Sequence, residues 1–533
     1  MRYIIRLIGL ILFAELYSIP CNSQKVACSH VAPMLDMDVM VVNGGIIRLF
    51  PWQTFESENR KEYVSIFKEC PYQKTAPIIY NRLGWWSLEP EKDNYAFTEV
   101  IEPMLKQAVA QHSRVILGLA SMCGEKTMMS HLYRGKWMAT PDYLYEELLN
   151  SEWPMHEDNQ FCRGDKGLSI SYDSPLVYER FSKLLHAFSK WLDKKLTGTN
   201  LRRKDVIYAI EMRHLGYWGE GGVRWEDRPK TDLLSKYIDL YIKEFPHILL
   251  IGGINSTVHL PLYKGNDLNK YSAEDLSMMR YNYKLMTARN KVGRIGGFID
   301  SWMPNNNQFD SITKRVMIDK SGNIVFLRDF LQNNYWGKVY LTGEFGYLIN
   351  DSNKDFYPYE EIVSQFYERR VSGISTHNVS AFYGFDSTGK PYNLGKKEYM
   401  NVKKALSVVG YRIVLNSVEI EKKGRKYEVI IKMKNIGTSS IFHDYYEAHI
   451  LTRDSLGNIV SDIKAPFCFK SFRGIKDQTA VNGAEEVKII CRIPNKKGKI
   501  FLLIKDKYNI EFPMTLSNFG RMPNGSYLLG IIN

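Results

Sequence analysis

Eight short apolar runs, separated by segments with helical periodicity, occupy roughly the first 400 residues of the chain. The runs are 42–50, 76–83, 113–120, 206–212, 247–254, 294–300, 338–344 and 371–376. Short β-branched runs that alternate with helical segments are typical of βα units in a parallel sheet. Eight such units close into a barrel of about 250 residues, or over 400 with insertions. The sequence therefore predicts an α/β fold with a (β/α)8 TIM barrel over residues 24–403.

Three of the intervening segments carry their apolar residues on one helical face. They are 97–111, 174–193 and 233–245, and this period predicts helices packed against the outside of the sheet. An open doubly wound sheet is the alternative, but no GxGxxG or P-loop motif follows the first run. The long connection between residues 121 and 172 is expected to form a lid or wall.

The sequence pattern changes near Ser407. From there to the C-terminus, short runs of alternating apolar and polar residues follow one another without helical segments, with a turn at Lys423–Gly424. Closely spaced strands of this kind predict an antiparallel β-sandwich. We therefore predict a smaller all-β sandwich domain over residues 404–533.

The N-terminus has the parts of a secretory signal peptide. Two arginines precede an apolar stretch, Leu7–Leu16, and small and polar residues follow it up to Ser23. The apolar stretch is well short of the ~20 residues of a membrane-spanning helix. We predict removal of residues 1–23, no transmembrane segment, and export to the periplasm, the cell surface or the medium. Cys21 is a candidate for lipid attachment.

Charge and cysteine usage narrow the choice of partners. The formal net charge is +13, but lysine and arginine are spread along the whole chain, which favours a solvated basic surface over a nucleic-acid site. For an exported protein this balance leaves room for an acidic glycan. The cysteines are widely spaced and form no Cys/His cluster, so we expect no metal and no cofactor. Cys468 and Cys491 are a candidate pair within the C-terminal domain.

Polar and aromatic residues follow four of the predicted strands, at the end where TIM barrels build their active sites. These segments are 81–90, 211–220, 298–302 and 341–347. Glu220 and Glu344 follow different strands, and glycoside hydrolysis requires two carboxylates that flank one sugar bond. The sequence therefore predicts Glu220 and Glu344 as a catalytic pair.

The surroundings of the two glutamates suggest different roles. Glu344 ends an apolar strand, which suits a rigidly held nucleophile, and Arg82 is expected to keep it ionised from across the barrel. Glu220 lies in a bend beside Tyr217 and Trp218. An apolar environment there is expected to favour the protonated acid that donates to the leaving group.

Further residues at strand ends are candidate substrate contacts. Arg82 and the aromatic residues Trp85, Trp218, Trp302 and Tyr347 suit contact with sugar rings, and Glu211, His214, Asp300, His377 and Asn378 are polar candidates. Several of them have a structural alternative. Trp85 and a buried histidine are also common in a protein core. For Arg82, the structural alternative is an ion pair with Glu89 or Glu211.

The segment 78–97, IIYNRLGWWSLEPEKDNYAF, resembles the second-strand segment of clan A glycoside hydrolases, in particular β-galactosidase-like barrels. With YWGE at 217–220, LTGEFGY at 341–347 and the C-terminal sandwich, the chain also resembles a bacterial family of exported barrel-plus-sandwich proteins. The resemblance implies Glu220 as acid/base, Glu344 as nucleophile and Arg82 as the residue that positions it. One departure is that clan A enzymes usually carry Asn-Glu after the fourth strand, whereas a glycine precedes Glu220 here.

These observations favour an exported glycoside hydrolase that cleaves a β-linked, galactose-like sugar in a polysaccharide, by a two-carboxylate and retaining mechanism. The first alternative is a non-catalytic carbohydrate-binding or surface glycan-handling protein on the same fold. The second is a hydrolase for another linkage, with Glu211 or Asp300 as the acid.

Overall fold

A computed structural model describes residues 45–48, 78–121, 129–158, 167–216, 219–223, 228–302, 314–345, 359–375, 408–476, 483–518 and 520–533. Eight parallel strands in it form a closed barrel in which β1 pairs with both β2 and β8. The strands are β1 (Gly45–Arg48), β2 (Ile78–Gly84), β3 (Val115–Ala120), β4 (Ile207–Met212), β5 (Leu249–Gly253), β6 (Gly296–Trp302), β7 (Leu341–Phe345) and β8 (Ile374–Ser375). Each overlaps one of the eight predicted runs, so the predicted barrel is confirmed.

Helices cover the outside of the barrel between its strands. Those between successive strands from β2 to β8 are Phe97–Val100 with Glu102–Ala110, Pro175–Leu192, Leu233–Glu244, Ala273–Thr287, Leu327–Phe330 with the π-helical turn Leu331–Tyr335, and Tyr359–Arg369. Shorter helices are Trp85–Leu88, Asp142–Leu148, Arg203–Val206, Ile254–His259, Leu268–Lys270 and Phe469–Ser471. Within the described part of the chain, no helix combines the length and the apolar character needed to cross a membrane.

The helix Pro175–Leu192 shows how local sequence sets these elements. The Ser174 side chain accepts a hydrogen bond from the backbone N–H of Val177, and proline occupies the first helical position, where its missing N–H has no cost. Phe181 and Phe188 lie on the buried face and pack in the main core of the barrel. Burying an aromatic side chain of this size contributes about 1.5–3 kcal/mol, so the packed face holds the helix on the sheet.

The barrel interior is built in layers along the strands. The layer nearer the N-terminal ends of the strands, called the lower layer below, is apolar. It contains Tyr80, Ile116, Ala209, Leu249, Ile251, Phe298 and Tyr340. Two residues further along three neighbouring strands stand Arg82, Gly118 and Glu211, and these three are direct partners in the hydrogen-bonded register. Side chains of a strand alternate between its two faces, so the next layer towards the C-terminal end of the barrel is polar.

The connection between β3 and β4 contains a small sheet of its own. Its strands are His131–Tyr133, Lys136–Met138, His156–Asp158 and Gly167–Ser169. The indole N–H of Trp86, just after β2, donates to the Met129 carbonyl at 3.0 Å, and its ring lies 4.8 Å from that of His131. This subdomain is therefore attached to the C-terminal end of β2. A second hairpin, Val316–Ile318 with Ile324–Phe326, precedes the helix before β7.

Two antiparallel sheets form the C-terminal domain. One contains β9 (Ile413–Lys423), β10 (Lys426–Asn435) and β13 (Glu486–Pro494), and the other contains β11 (Tyr446–Arg453), β12 (Ile459–Lys464), β14 (Gly498–Asp506) and β15 (Tyr527–Ile532). Their apolar faces share one core, which confirms the predicted sandwich. The boundary predicted at residues 403–404 lies outside the described residues.

The cysteines of the sandwich correct one expectation. Cys468 and Cys491 are both free, the first exposed and the second buried. Cys491 lies on β13 with its side chain in the sandwich core, where it packs as a small apolar residue. The candidate disulfide between them is therefore wrong.

The sandwich closes the N-terminal end of the barrel. Arg114, the residue before β3, is completely buried, and its guanidinium lies 2.6 Å from Asp506 and 2.8 Å from Glu511 of the sandwich. Phe442 packs against the apolar lower layer, with its ring 6.0 Å from that of Tyr340. The described contacts therefore place the sandwich at the end of the barrel opposite to the one where TIM barrels build their active sites.

Candidate active site

A glycine-rich bend folds the chain back after β4 and carries Glu220, eight residues beyond Met212, over the barrel. The backbone φ angles are +78° at Gly216, +70° at Gly219 and +90° at Gly221, a region that favours glycine. A Cβ atom at Gly221 would lie 2.7 Å from the Ser256 nitrogen, and one at Gly219 would collide with the backbone of Arg213. The glycines thus allow the chain to turn tightly and bring Glu220 back over the barrel.

Two backbone N–H groups just after Glu220 donate hydrogen bonds that hold this bend. The Gly221 N–H donates to the Leu215 carbonyl at 2.9 Å, and the Val223 N–H donates to Nε2 of His259 at 3.1 Å. Burial, with a smaller effect of Arg228 and Arg315, lowers the pKa of His259 to about 4. The ring is therefore neutral at physiological pH and able to accept this bond.

Four charged side chains meet at the mouth of the barrel. Arg82 of β2 forms an ion pair with the Glu220 carboxylate, and Nη1 of Arg213 lies 3.5 Å from the same oxygen. Nε of Arg213 donates to Glu211 at 2.8 Å. All four residues are buried, with exposures between 1% and 7%. The two guanidinium groups and two carboxylates give this cluster a formal charge of zero.

Tyr80 and Phe298 support the two arginines from the layer below. Nη2 of Arg213 donates to the Tyr80 hydroxyl at 2.6 Å, and Nε of Arg82 donates to the same oxygen. The guanidinium carbons of Arg82 and Arg213 lie 5.3 Å and 4.1 Å from the centre of the Phe298 ring, within the range of cation–π attraction. A Cβ at Gly118 would lie only 2.9 Å from Cγ of Arg213, so the absent side chain gives Arg213 its space.

The charge state of Arg213 follows from these contacts. Burial and the neighbouring Arg82 act to lower its pKa, but Glu211, Tyr80 and Glu220 outweigh them and raise it above the usual value. The guanidinium therefore stays charged. The sequence reasoning missed Tyr80, Arg213 and Phe298. Strand alternation could have predicted the first two. Tyr80 precedes Arg82 by two residues and Arg213 follows Glu211 by two, and residues two apart on a strand point to the same side of the sheet.

The surroundings of Glu220 differ from the expectation. The sequence suggested an apolar bend that favours a protonated acid, whereas the described neighbours are the two guanidinium groups of Arg82 and Arg213. The described neighbours of Glu220 are therefore ion-pair partners and not the apolar groups that were expected. The part of the expectation that involved Tyr217 and Trp218 lies outside the described residues.

Arg82 was predicted to act on Glu344, and the carboxylate that it contacts in the described part of the chain is Glu220. The alternative partner Glu89 instead accepts hydrogen bonds from the Trp85 indole at 2.8 Å and from the Asp93 backbone at 2.9 Å. Glu211 also lies in the site, paired with Arg213. Arg82, Glu211 and Glu220 are thus brought together although they come from two different strand ends.

Two predicted substrate contacts are wrong, because the barrel core encloses them. Trp85 has no exposed surface and packs edge-on against Phe181, with ring centres 5.3 Å apart. His214 is 1% exposed and stacks on Tyr237 at 5.0 Å, and burial lowers its pKa to about 3. Neither ring has a face available to a sugar.

The remaining predicted residues lie at strand ends or outside the description. The backbone of Glu344 is part of β7 and pairs in register with Ser375, and the backbones of Asp300 and Trp302 belong to the end of β6. The residues outside the described part of the chain are Trp218, Tyr347, His377 and Asn378. In the described residues, no group of three or more His, Cys, Asp or Glu side chains is arranged to hold a metal ion.

Comparisons with known proteins give weak structural likenesses. No family model and no curated protein matches the chain. Endo-glycoceramidase II from Rhodococcus sp., solved as a complex with a five-membered iminocyclitol, aligns at 10% identity and a TM-score of 0.37, over 85% of this chain and 97% of that one. The catalytic domain of a beta-amylase from Paenibacillus polymyxa aligns at 11% identity and 0.35, over 68% and 98%.

A family 39 glycoside hydrolase from the gut symbiont Bacteroides cellulosilyticus WH2 aligns at 10% identity and a TM-score of 0.36, over 81% of both chains. All three are glycoside hydrolases, the class that the segment 78–97 resembles. Alignments with scores this low carry neither a fold nor a function by themselves. The barrel assignment rests on the closed, hydrogen-bonded strand order.

Proposed function

We propose that the protein is an exported glycoside hydrolase that cleaves a β-linked, galactose-like sugar in a polysaccharide, with Glu220 and Glu344 as its carboxylate pair. The observation that supports this most directly is the return of Glu220 onto Arg82. It brings back over the barrel a carboxylate that lies eight residues beyond the end of its strand. A carboxylate is thereby placed at the end of the barrel where this fold carries out chemistry.

The strand order supports the choice of Glu344 as partner. β4 and β7 are three strands apart in a ring of eight, so their C-terminal ends lie nearly opposite each other. A sugar held in the mouth between these ends has one carboxylate-bearing segment on each side. This is the arrangement that two-carboxylate glycoside hydrolysis uses.

A retaining reaction fits this pair in two steps. One carboxylate attacks the anomeric carbon while the other gives a proton to the departing oxygen, and the second then takes a proton from the water that releases the sugar. The resemblance gives the nucleophilic role to Glu344 and the acid/base role to Glu220. Contact with Arg82 and Arg213 suits the step in which Glu220 is ionised and activates water.

Conservative variants test the pair. In an aryl β-galactoside assay, Glu220→Gln and Glu344→Gln are each expected to lower kcat by about 100-fold or more, the usual size of such a contribution. Glu89→Gln is the matched control, because Glu89 is also a buried glutamate beyond the end of a barrel strand, β2, but it bonds to Trp85 and the backbone. Rates that match the wild type in both variants would overturn the assignment.

Azide separates the two roles. In a Glu344→Gly variant, azide replaces the nucleophile in a single displacement and is expected to yield the α-glycosyl azide. In a Glu220→Gly variant with an activated leaving group, azide replaces the water of the second step and is expected to yield the β-glycosyl azide. The reverse pair of products would exchange the roles of the two glutamates.

The ion pairs of Glu220 favour one further candidate, a carbohydrate-binding protein without turnover. A carboxylate kept in contact with two guanidinium groups is a poor proton donor, so the same site suits recognition without cleavage. Calorimetric binding of glycans by the wild type, with no release of reducing sugar across a broad panel, would select this function instead.

A further inference from the structure

We propose that Arg213 is a positioning residue of this site, which holds the Glu220 carboxylate jointly with Arg82 and couples it to Glu211. The inference rests on the proposed function, and it adds a group that the resemblance to clan A enzymes does not supply. It concerns how the Glu220 carboxylate is oriented.

The first argument is the position of the Arg213 guanidinium between two carboxylates. Nη1 faces Oε1 of Glu220 at 3.5 Å, and Nε donates to Oε2 of Glu211 at 2.8 Å. Arg82 contacts the same Oε1 atom of Glu220 from the neighbouring side. Two cations that converge on one carboxylate oxygen restrict its direction more than a single cation does.

The second argument is that the two buried guanidinium groups repel each other unless Glu220 is present. Arg82 and Arg213 both donate to the Tyr80 hydroxyl and both lie over the Phe298 ring, so two like charges are held side by side in a buried place. Such a pair is unfavourable unless counter-charges neutralise it. Glu220 and Glu211 supply these counter-charges, so the position of Glu220 is tied to that of Arg213.

The third argument is local chain geometry. Gly219 packs directly on the backbone of Arg213 with a φ of +70°, so the residue before Glu220 is seated on the residue that carries the second guanidinium. A movement of Arg213 is therefore transmitted to the bend. Buried ion pairs also occur for structural reasons alone, and the experiment has to separate the two roles.

Three variants and one control double variant distinguish a positioning role from a purely structural role. Arg213→Lys keeps the charge and loses the planar fork, whereas Arg213→Met removes the cation. The double variant Glu211→Gln with Arg213→Met removes the ion pair without leaving an unpaired buried charge. The control is Glu102→Gln with Arg203→Met, because the two residues form a buried ion pair 2.6 Å apart and Arg203 lies just before β4, at the end of that strand remote from the site.

For the Arg213 variants we expect kcat to fall by about 10- to 100-fold with KM changed less than about threefold, since the interaction acts on the reacting carboxylate and not on sugar affinity. The control pair is expected to lower Tm and leave kcat and KM unchanged. An unchanged kcat in folded Arg213 variants, or an equal fall of kcat in the control, would refute the proposal.

A crystal structure of the Glu211→Gln, Arg213→Met double variant gives a readout that does not require turnover. The Glu220 carboxylate is expected to rotate or leave its contact with Arg82. An unmoved Glu220 would refute the positioning role even for an active enzyme. Conversely, a wild-type protein that cleaves no glycoside, together with a displaced Glu220 in the double variant, would refute only the proposed function.

Discussion

The Glu220 carboxylate contacts the Arg82 guanidinium across β3, the strand that separates their two strands in the barrel wall. Nothing on β3 intervenes, since the residue in register with Arg82 and Glu211 is Gly118. The missing side chain opens the space in which Arg213 lies. The site is therefore a polar layer built over the apolar one that fills the barrel below it.

The contact between Glu220 and two guanidinium groups predicts rescue by a small anion. Glu220→Ala is expected to lower stability by about 3–5 kcal/mol, because it leaves two buried cations without their shared partner. Formate fits the vacated place, and at about 100 times its Kd it is expected to return roughly 2.7 kcal/mol. Thermal unfolding in sodium formate, compared with sodium chloride of equal ionic strength, measures this. Glu220→Gln fills the space and serves as control, and equal shifts in both variants would contradict the prediction.

The positive φ at Gly221 predicts a specific loss of function. Gly221→Ala adds backbone strain and a Cβ only 2.7 Å from the Ser256 nitrogen, so the bend that carries Glu220 has to move. We expect a destabilisation of about 1–3 kcal/mol and turnover reduced at least tenfold. Gly424→Ala is the comparison, since Gly424 has a φ of +63° in a sandwich hairpin with open space around it. Comparable activity losses in the two variants would show that strain alone is responsible.

The charge balance of the site predicts a preference for neutral sugars. The two cations of the described cluster are matched by the carboxylates of Glu211 and Glu220, so the cluster has no net positive charge to attract an anion. A carboxylate on the sugar next to the cleaved bond meets these acidic groups and is repelled, and at protein-like dielectric one unit charge is worth a few kcal/mol at about 4 Å. We expect kcat/KM at least tenfold higher for an aryl β-galactoside than for the corresponding galacturonide. A faster galacturonide would favour the acidic glycan that the basic surface also permits.

The hydrogen bond from Val223 to His259 predicts a pH effect on the bend. The pKa of His259 is about 4, below the ordinary 6.5, so the folded protein disfavours the protonated ring. Its contribution to stability is fully present above pH 6.5 and is lost as the pH falls towards 4. Because the ring is partly exposed, we expect a loss of about 1–2 kcal/mol. Urea unfolding at pH 7.5 and 4.5 measures it, and His259→Gln, which keeps an acceptor, should lose less; an equal loss would exclude His259.

The packing of the sandwich on the barrel predicts that the two domains unfold together. All ten tryptophans lie at or before residue 336, so their fluorescence reports the barrel alone. The buried thiol of Cys491 reports the sandwich when its modification by a maleimide is followed by peptide mass spectrometry, which distinguishes it from the exposed Cys468. We expect coincident denaturant transitions, and an equal shift of both in Phe442→Ala, which removes the aromatic ring that the sandwich packs against the lower barrel layer. Two separated transitions would show that the domains are independent.

Local patterns in the sequence determined the architecture. The eight apolar runs predicted the eight barrel strands, and the amphipathic period of segments such as 174–193 predicted the helices between them. The change to alternating runs near Ser407 predicted the sandwich. These predictions succeed because periods of 2 and 3.6 residues are properties of neighbouring residues, which the chain displays before it folds.

Tertiary structure alone decided which side chains meet. The sequence predicted Arg82 and Glu220 as site residues separately and did not predict their contact. That contact joins residues far apart in the chain, and it depends on barrel closure and on the glycine bend. Arg213 acquired its place only through the gap at Gly118. Trp85 and His214 stand at strand ends like true site residues, and only the packing of surrounding helices shows that they are enclosed. Burial and charge pairing arise from the whole fold, and no local pattern records them.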